Sequence, residues 1–511
     1  MEEDILRRIV ERRRADMERL GPEFGAAVPA ARRVGRTAFL GEPGAVFEVK
    51  RASPSKGDIA PDLDPVELAT AYAEAGAQAV SVLTEGNFFK GSLDDLVAVA
   101  DLMERRRRNG LRACAVLRKD FLLSEEEVDV ADRCGADAVL LIARILDGDR
   151  LAAMARRAAE LGMRAFVEVR GREDLRKLEA ATSALGGAAA GTIVAGVNSR
   201  DLATFRIDPL VPAAARPSLP ENAVYESGIR SPADARFARD LGFAGILVGE
   251  AVAKEPALAA GVAEAFAEPP RRRRGRFWRA VAERRAAKAG APLVKICGIA
   301  RTEDGLFAAE SGADLLGFVL ADSPRRADPE FVRDFARALR RSPEFPDGRR
   351  PLLVGVVTGT ETPEGEAALA LLREGFLDAV QCHGFRPDGA LDDVARYCAV
   401  RVGSASDLTE AEALLKDGEP RLLLDAKVEG IAGGTGTRVP EEALRGASGR
   451  APLWIAGGVT PENAAEIREK FRPELIDVSS GVEKEPGVKD REKIRALFEA
   501  LGHGNIDRRT T

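Results

Sequence analysis

The chain has 511 residues, and this length predicts roughly two to four domains rather than one. Its composition, 45% hydrophobic and 31% charged, is typical of a globular protein, and no run of about 18 apolar residues predicts a membrane span. A net charge of −6 provides no general attraction to nucleic acid or to an anionic membrane, so neither is expected as a partner.

The N-terminal stretch is charged and helical in pattern, without the apolar core of a signal peptide. The five cysteines lack paired or metal-ligand spacing, which fits reduced thiols and predicts a cytoplasmic protein without a metal site. With only two histidines in the chain, proton transfer is expected to fall to carboxylates, lysines and a thiol. The first 45 residues precede the first apolar run, and we expect them to form helices at the base of the first domain.

Short apolar runs then alternate with helical stretches rich in Ala, Arg and Glu. Strands that alternate with helices predict a parallel sheet, and eight such units in 200 to 250 residues favour a closed (β/α)8 barrel. An open doubly wound sheet is the alternative, but the Gly-rich turn GxGxxG is missing after the first run. The eight runs between residue 46 and about residue 250 are VFEVK, AVSVLTE, ACAVLRKD, AVLLIAR, AFVEV, TIVAGVNSR, AVYESGI and GILVGEA.

The same pattern restarts after residue 292. We therefore predict an α/β protein of two consecutive (β/α)8 TIM barrels, with domains at residues 1–265 and 291–511. The second set of runs is LVKICGI, LLGFVLA, LLVGVVT, DAVQCHG, CAVRVG, LLLDAK, LWIAGGV and LIDVSSGVE.

Residues 266–290 separate the two sets and are rich in arginine. From Pro269 to Gly290 there are eight arginines and one lysine against a single glutamate. Such a run can bind nucleic acid or an acidic partner, or it can be a solvated helical linker. We favour the linker, because only Phe277 and Trp278 interrupt the charges.

Polar side chains recur at the ends of the runs in the first half. In VFEVK, alternation puts Glu48 and Lys50 on one face of a strand. By itself the pair is either a structural ion pair or the floor of a site. Because barrels carry catalysis at the carboxyl ends of their strands, polar groups at six strand ends favour an acid/base site for an anionic substrate. The other candidates are Lys119, Glu168, Asn198, Arg200, Glu226 and Ser227, with Gly228 and Gly249 for a phosphate.

This half resembles the indole-3-glycerol-phosphate synthases. The motifs FEVKRASPSKG, SVLTE, LRKDF, VEV, VNSRDL, YESGI and VGEA occur in the order found in that family. The resemblance implies decarboxylation, ring closure and dehydration of carboxyphenylaminodeoxyribulose phosphate. It also implies that Lys119 is the general acid of ring closure and that Glu168, with Glu48 and Lys50, handles the protons of dehydration. Asn198, Arg200, Glu226 and Ser227 would complete the pocket, and Ser53 would hold the anthranilate end.

In the second half, a thiol and a carboxyl group occupy strand ends. Cys297 ends the run LVKIC on the same face as Lys295, and Asp425 ends LLLD. A thiol and a carboxylic acid across a barrel mouth form a plausible base and acid. Three glycine-rich loops, after the sixth, seventh and eighth runs, predict a phosphate cradle. Its candidate residues are Gly433, Gly434, Gly457, Gly458, Ser480 and Gly481.

This half resembles phosphoribosylanthranilate isomerase. The motifs KICGI, SPRR, VQCHG, LLLDAK…GGTG, AGGVTPEN and DVSSGVE…PGVKD match in order. The family implies an Amadori rearrangement in which Asp425 protonates the ribose ring oxygen and Cys297 removes the proton from C2. Arg325 would hold the anthranilate carboxylate.

The two resemblances concern consecutive steps of tryptophan biosynthesis. They predict a bifunctional, monomeric enzyme that acts on phosphorylated anthranilate derivatives without a metal or organic cofactor. One alternative is that one barrel has lost its activity, which predicts a missing catalyst, and no proposed catalyst is missing. Another is that one barrel is a phosphate-ligand sensor or scaffold with the Arg-rich segment as its partner-binding element. Other sugar-phosphate barrels lack the segment FEVKRASPSKG.

Overall fold

A computed structural model describes residues 5–201, 204–288, 290–345, 350–387, 391, 394–427, 438–449 and 451–502. The chain divides into two compact units, Met1–Pro270 and Arg271–Thr511. Each contains one closed barrel of eight parallel strands, so the prediction of two TIM barrels is confirmed. No helix in the described part of the chain combines the length and the apolar character that a membrane crossing requires.

In the first unit, all eight apolar runs form barrel strands. A small antiparallel hairpin, β2–β3, follows β1, and the barrel order is β1-β10-β9-β8-β7-β6-β5-β4. The strands are β1 (Gly44–Val49), β2 (Ala52–Ser53), β3 (Gly57–Asp58), β4 (Ala79–Leu83), β5 (Ala115–Lys119), β6 (Ala138–Ile142), β7 (Arg164–Val169), β8 (Ile193–Asn198), β9 (Val224–Glu226) and β10 (Gly245–Val248).

Several helices of the first unit follow a residue whose side chain caps them. Before α2, the Asp64 side chain accepts hydrogen bonds from the backbone N–H groups of Val66 and Glu67, and Pro65 follows at the first helical position. The helices are α1 (Ile5–Leu20), α2 (Pro65–Glu74), α3 (Leu93–Arg108), α4 (Glu125–Arg133), α5 (Gly148–Glu160), α6 (Arg172–Leu185), α7 (Gly187–Ala190), α8 (Leu210–Ala215), α9 (Pro232–Asp240), α10 (Glu250–Lys254) and α11 (Leu258–Ala267).

The N-terminal extension differs from the expectation that it caps the base of the barrel. Helix α1 lies at the opposite end, because its Arg13 side chain contacts Asp120, the residue directly after β5. The base is instead reached by the non-helical segment that follows, whose buried Phe39 ring packs 5.8 Å from the ring of Phe166. The helical pattern of residues 5–20 predicts a helix correctly, but it carries no information about which end of the barrel accepts it.

The second unit repeats the architecture with strand order β11 to β18 around the barrel. A short antiparallel pair, β19–β20, follows the last barrel strand. The strands are β11 (Leu293–Cys297), β12 (Leu315–Val319), β13 (Leu352–Val357), β14 (Ala379–His383), β15 (Arg396–Val402), β16 (Leu422–Ala426), β17 (Trp454–Ile455), β18 (Leu475–Val478), β19 (Glu483–Glu485) and β20 (Val488–Lys489).

Its helices surround the barrel in the same way. Pro329, Pro363 and Pro461 open three of them immediately after a capping Asp or Thr. The helices are α12 (Arg272–Ala287), α13 (Thr302–Glu310), α14 (Pro329–Arg341), α15 (Pro363–Glu374), α16 (Leu408–Lys416), α17 (Glu441–Ser448), α18 (Pro461–Phe471) and α19 (Arg491–Ala500).

Most of the Arg-rich segment is α12, a helix packed into the second unit, and not a solvated linker. The rings of Phe277 and Trp278 are buried, Phe277 stacks on Tyr397 at 6.2 Å, and Trp278 lies 5.8 Å from Trp454. Arg285 forms an ion pair with half-buried Glu474 at 2.6 Å. The two aromatic residues that interrupt the charges thus form the helix's buried face, which a charge count alone does not reveal.

Candidate active sites

The first barrel brings its predicted acids and bases together at the carboxyl ends of its strands. In the strand register, Ile142 lies opposite Glu168 and Asn198 opposite Glu226, which places these side chains at one rim. The carboxylate of Glu48 lies 3.2 Å from Lys50 Nζ and 3.9 Å from Lys119 Nζ. Glu48 is therefore the carboxylate that joins the two lysines.

The charges of this cluster stabilise one another. Burial alone would raise the pKa of Glu48, but the ammonium groups of Lys50 and Lys119 outweigh it and the pKa is lowered. Burial would likewise lower the pKa of Lys119, but the carboxylates of Glu48, Glu168 and Glu226 raise it. Glu48 is therefore held ionised and Lys119 protonated.

Glu226 has the opposite electrostatic environment to Glu48. Its side chain occupies the space over Gly196, where a Cβ atom would lie 2.2 Å from Glu226 Oε1. Burial and the neighbouring Glu168 carboxylate raise the pKa of Glu226 well above its ordinary value. One rim thus holds an ionised and a protonated carboxyl group, the arrangement that general acid–base chemistry requires.

The loops after β8 and β9 shape the neighbouring part of the rim. Asn198 Oδ1 accepts a hydrogen bond from the backbone N–H of Arg200 at 2.9 Å, and the Ser227 carbonyl accepts one from Ser199 Oγ at 3.0 Å. Ser227 has a φ of 64°, in the left-handed region, and Gly228 follows with a φ of 76°. This sharp turn determines where the predicted phosphate-binding backbone runs.

At Gly249 the structure leaves no space for a side chain, and the backbone here is also a candidate for binding the phosphate. A Cβ atom at this position would lie 2.4 Å from Glu48 Oε1, so a side chain here would displace the carboxylate. Ser53 lies in the β2–β3 hairpin that follows β1, buried and 3.5 Å from Ser55 Oγ. The hairpin extends the same strand end that carries Glu48 and Lys50.

In the second barrel, Cys297 lies at the end of β11 beside a buried polar network. Lys295 is fully buried, and its Nζ lies 2.6 Å from Asp477 Oδ2 and donates to Gln381 Oε1 at 3.0 Å. Tyr397 donates to the same Gln381 oxygen at 2.9 Å. Burial raises the pKa of the Cys297 thiol, although Lys295 acts in the opposite direction. The thiol is protonated at rest, next to a cation that favours its thiolate.

Asp425 ends β16 and is also largely buried. Its Oδ1 accepts a hydrogen bond from the Ala426 N–H at 2.9 Å, and its Oδ2 lies 3.8 Å from His383 Nε2. Burial and the Asp477 carboxylate raise the pKa of Asp425 to about 6, while burial and Arg401 lower the pKa of His383 to about 4. Asp425 can therefore hold a proton near neutral pH next to a neutral histidine.

Arg325 has a partner that the sequence analysis did not foresee. Its guanidinium Nε and Nη2 donate to the Glu483 carboxylate at 3.0 and 2.9 Å, and Lys489 Nζ donates to Glu483 at 2.8 Å. One buried carboxylate therefore binds both cations at the rim. Glu483 and Lys489 pair across the hairpin β19–β20. This hairpin lies beside Arg325 although the two are far apart in the chain, so the sequence alone does not reveal the contact.

The glycine-rich loops of the second barrel are partly described. Gly457 and Gly458 have φ values of 80° and 62°, and the Gly458 carbonyl accepts a hydrogen bond from Asn463 Nδ2. Ser480 and Gly481 begin the short 3-10 helix Ser480–Val482, and a Cβ at Gly481 would lie 1.9 Å from the Val459 carbonyl oxygen. Only glycine fits there. Gly433 and Gly434 lie outside the described residues.

Comparison with known proteins assigns each half of the chain to a protein family. The family model of indole-3-glycerol phosphate synthase matches residues 25–264, and that of N-(5'-phosphoribosyl)anthranilate isomerase matches residues 294–500. The chain belongs to both families. It is a bifunctional enzyme of tryptophan biosynthesis, with a synthase barrel followed by an isomerase barrel.

Curated relatives have the same tandem or one part of it. A tryptophan biosynthesis protein of Phytophthora nicotianae is 32% identical over 86% of this chain and 87% of its own length. A multifunctional tryptophan biosynthesis protein of Schizosaccharomyces pombe is 32% identical over 90% of this chain, which spans 59% of that protein. An indole-3-glycerol phosphate synthase of Dehalococcoides mccartyi is 40% identical over 43% of this chain and 80% of its own length.

Proposed function

We propose that both barrels are catalytically active and act on consecutive intermediates. The isomerase barrel converts N-(5-phosphoribosyl)anthranilate to carboxyphenylaminodeoxyribulose phosphate, and the synthase barrel converts that product to indole-3-glycerol phosphate. The observation that carries the proposal is the buried cluster of Glu48, Lys119, Glu168 and Glu226, in which one carboxyl group is ionised and another protonated. Such opposed pKa shifts mark acid and base roles in one site.

In the synthase barrel, Lys119 is the general acid of ring closure. Its ammonium group, with a pKa raised by three carboxylates, remains protonated and polarises the substrate carbonyl. Glu168 and Glu226 exchange the protons of dehydration, since Glu226 begins protonated beside Glu168. Glu48 holds Lys50 and Lys119 in position.

Other rim groups of the synthase barrel bind the substrate. Asn198, Arg200 and Ser227 line the pocket, and Ser53 holds the anthranilate end. The backbone N–H groups at Gly228 and Gly249 bind the phosphate without a side chain in the way.

In the isomerase barrel, Asp425 protonates the ribose ring oxygen and Cys297 then removes the proton from C2. The pKa of about 6 supports a proton-donating Asp425, and Lys295 beside the thiol favours the thiolate that removal requires. Gly457, Gly458, Ser480 and Gly481 bind the phosphate, together with Gly433 and Gly434. Arg325 releases the Glu483 carboxylate and binds the anthranilate carboxylate in its place.

Residues 1–265 form the synthase domain and residues 291–511 the isomerase domain, which α12 extends at its N-terminal side because this helix packs into the same unit. The protein is a cytoplasmic monomer whose partners are its phosphorylated anthranilate substrates. It uses side-chain acids and bases without a metal or organic cofactor.

The test supplies phosphoribosylanthranilate alone to the purified protein and follows its fluorescence together with indole-3-glycerol phosphate. Wild type should complete both steps, Lys119→Ala should stop at the ribulose intermediate, and Cys297→Ala should leave the substrate unconsumed. If wild type stops at the intermediate, the synthase proposal is wrong. If it consumes nothing but converts supplied intermediate, the isomerase proposal is wrong.

A further inference from the structure

Helix α1 lies outside the residues that match the synthase family model, yet it reaches the active-site rim. Arg13 on this helix is 6% exposed, and its guanidinium lies 2.9 Å from Asp120 Oδ2 and 2.5 Å from Glu127 Oε1. Its opposite face covers the ring of Phe24 at 3.7 Å. An arginine buried this deeply requires its carboxylate partners, and they require it.

The partner Asp120 is the neighbour of Lys119 in the chain. Its carboxylate accepts hydrogen bonds from Thr84 Oγ1 at 2.5 Å and from the Phe121 N–H at 2.8 Å. The Thr84 backbone N–H in turn donates to the Lys119 carbonyl at 3.1 Å. The network that Arg13 completes therefore holds the strand end from which the Lys119 side chain enters the site.

A second contact of α1 reaches the neighbouring rim loop. Asn87 Nδ2 donates to the Asp16 carboxylate at 2.9 Å. The same loop carries Phe89, whose ring lies 5.9 Å from that of Phe121 and 5.3 Å from Lys50 Nζ. Helix α1 is thus attached to two rim loops, one of which carries the Phe89 ring beside Lys50.

The electrostatics of Asp120 depend on this contact. Burial would raise the pKa of Asp120, but Arg13 first and Arg118 second outweigh it and the pKa is lowered. Removal of Arg13 leaves Asp120 and Glu127, both fully buried, without that guanidinium. The Asp120 carboxylate then becomes easier to protonate, or it turns away, and either change moves the end of β5.

We propose that Arg13 is a positioning residue of the synthase reaction, which acts by holding Asp120 and thereby the Lys119 strand end. This inference rests on the proposed synthase function and adds the N-terminal helix to its active site. Arg13 contacts no reacting atom in this proposal. A misplacement of about 1 Å in a catalytic group can cost on the order of 100-fold in rate.

The test compares Arg13→Met with Arg14→Met, the same substitution at an exposed position of the same helix. With supplied ribulose intermediate, we expect Arg13→Met to lower the synthase kcat by about 10- to 100-fold while KM changes less. Arg13→Lys, which keeps the charge, should recover part of the rate. The isomerase activity of the same molecules should stay within about twofold of wild type, which shows that equal amounts of intact protein are compared, and a nearly unchanged synthase KM reports that the synthase barrel is folded.

Two further measurements separate positioning from general destabilisation. The acidic limb of the synthase kcat profile should move to higher pH in Arg13→Met, because the pKa of Asp120 rises when Arg13 is absent. Hydrogen exchange of peptides covering residues 115–123 should accelerate in Arg13→Met and not in Arg14→Met. Equal kcat values for the two variants, an unmoved acidic limb, or a parallel loss of isomerase activity would each overturn the proposal. An inactive wild-type synthase refutes the proposed function instead, and the exchange comparison then decides the positioning role.

Discussion

The packing of α12 into the isomerase unit predicts how the variant Phe277→Ala behaves. The Phe277 ring is 2% exposed and stacked on Tyr397, with an interplanar angle of 6°. Loss of a buried phenyl ring costs about 3–5 kcal/mol from lost burial and the cavity left behind. For a unit whose total stability is about 5–15 kcal/mol, that loss is a large fraction. With a urea m-value of about 3 kcal/mol/M, the midpoint should fall by about 1–1.7 M.

The assay uses the two tryptophans of the chain. Trp278 and Trp454 both lie in the second unit, so tryptophan fluorescence during urea unfolding reports on that unit. Isomerase activity should be lost at the same lower midpoint, while synthase activity keeps its wild-type midpoint. The matched control is Arg276→Ala at an exposed position of α12, which should change the unfolding free energy by about 0.5 kcal/mol or less. A Phe277→Ala midpoint equal to that of the control would refute the assignment of α12 to the isomerase unit.

Isomerase kcat should fall below about pH 6, because the reaction needs a protonated Asp425 and a Cys297 thiolate together. Above the Asp425 pKa of about 6 the protonated fraction of Asp425 falls while the thiolate fraction rises, whereas below it Asp425 stays protonated and only the thiolate fraction falls. The synthase profile of the same chain controls for the substrate phosphate, and a limb at pH 4 would contradict the assignment. Gly249→Ala should reduce synthase activity at least tenfold and spare the isomerase, because the added methyl group would meet Glu48. Gly481→Ala should instead reduce isomerase activity and spare the synthase, because its methyl group would meet the Val459 carbonyl. Steady-state assays of both steps check the two variants, and a loss of both activities in either variant would contradict the prediction. Glu226→Gln should destabilise the synthase unit less than Glu48→Gln, because Glu226 is held neutral whereas Glu48 is ionised and pairs with two lysines; equal urea midpoints of synthase activity would contradict these protonation states.

The barrels themselves were predictable because their signals are local. Each apolar run is short, its alternation of faces is visible in five or six residues, and sixteen such runs became the sixteen barrel strands. Glu48, Lys119 and Asp425 could be placed at the rim for the same reason. The carboxyl ends of all strands in a parallel barrel meet at one rim, so a polar residue at the end of any strand lies there. The motifs then identified both families without any knowledge of side-chain contacts.

The tertiary structure decided how distant segments pair. Arg13 and Glu127 are separated by 114 residues, and Arg325 and Glu483 by 158, so no local pattern predicts either ion pair. Helix α1 was expected at the base and lies at the rim, and the Arg-rich segment became a packed helix, because partner surfaces elsewhere in each unit accept them. Sequence determines which residues are buried or charged along each element. The opposed pKa shifts of Glu48 and Glu226 arise only when folding excludes water and sets each beside its own neighbours.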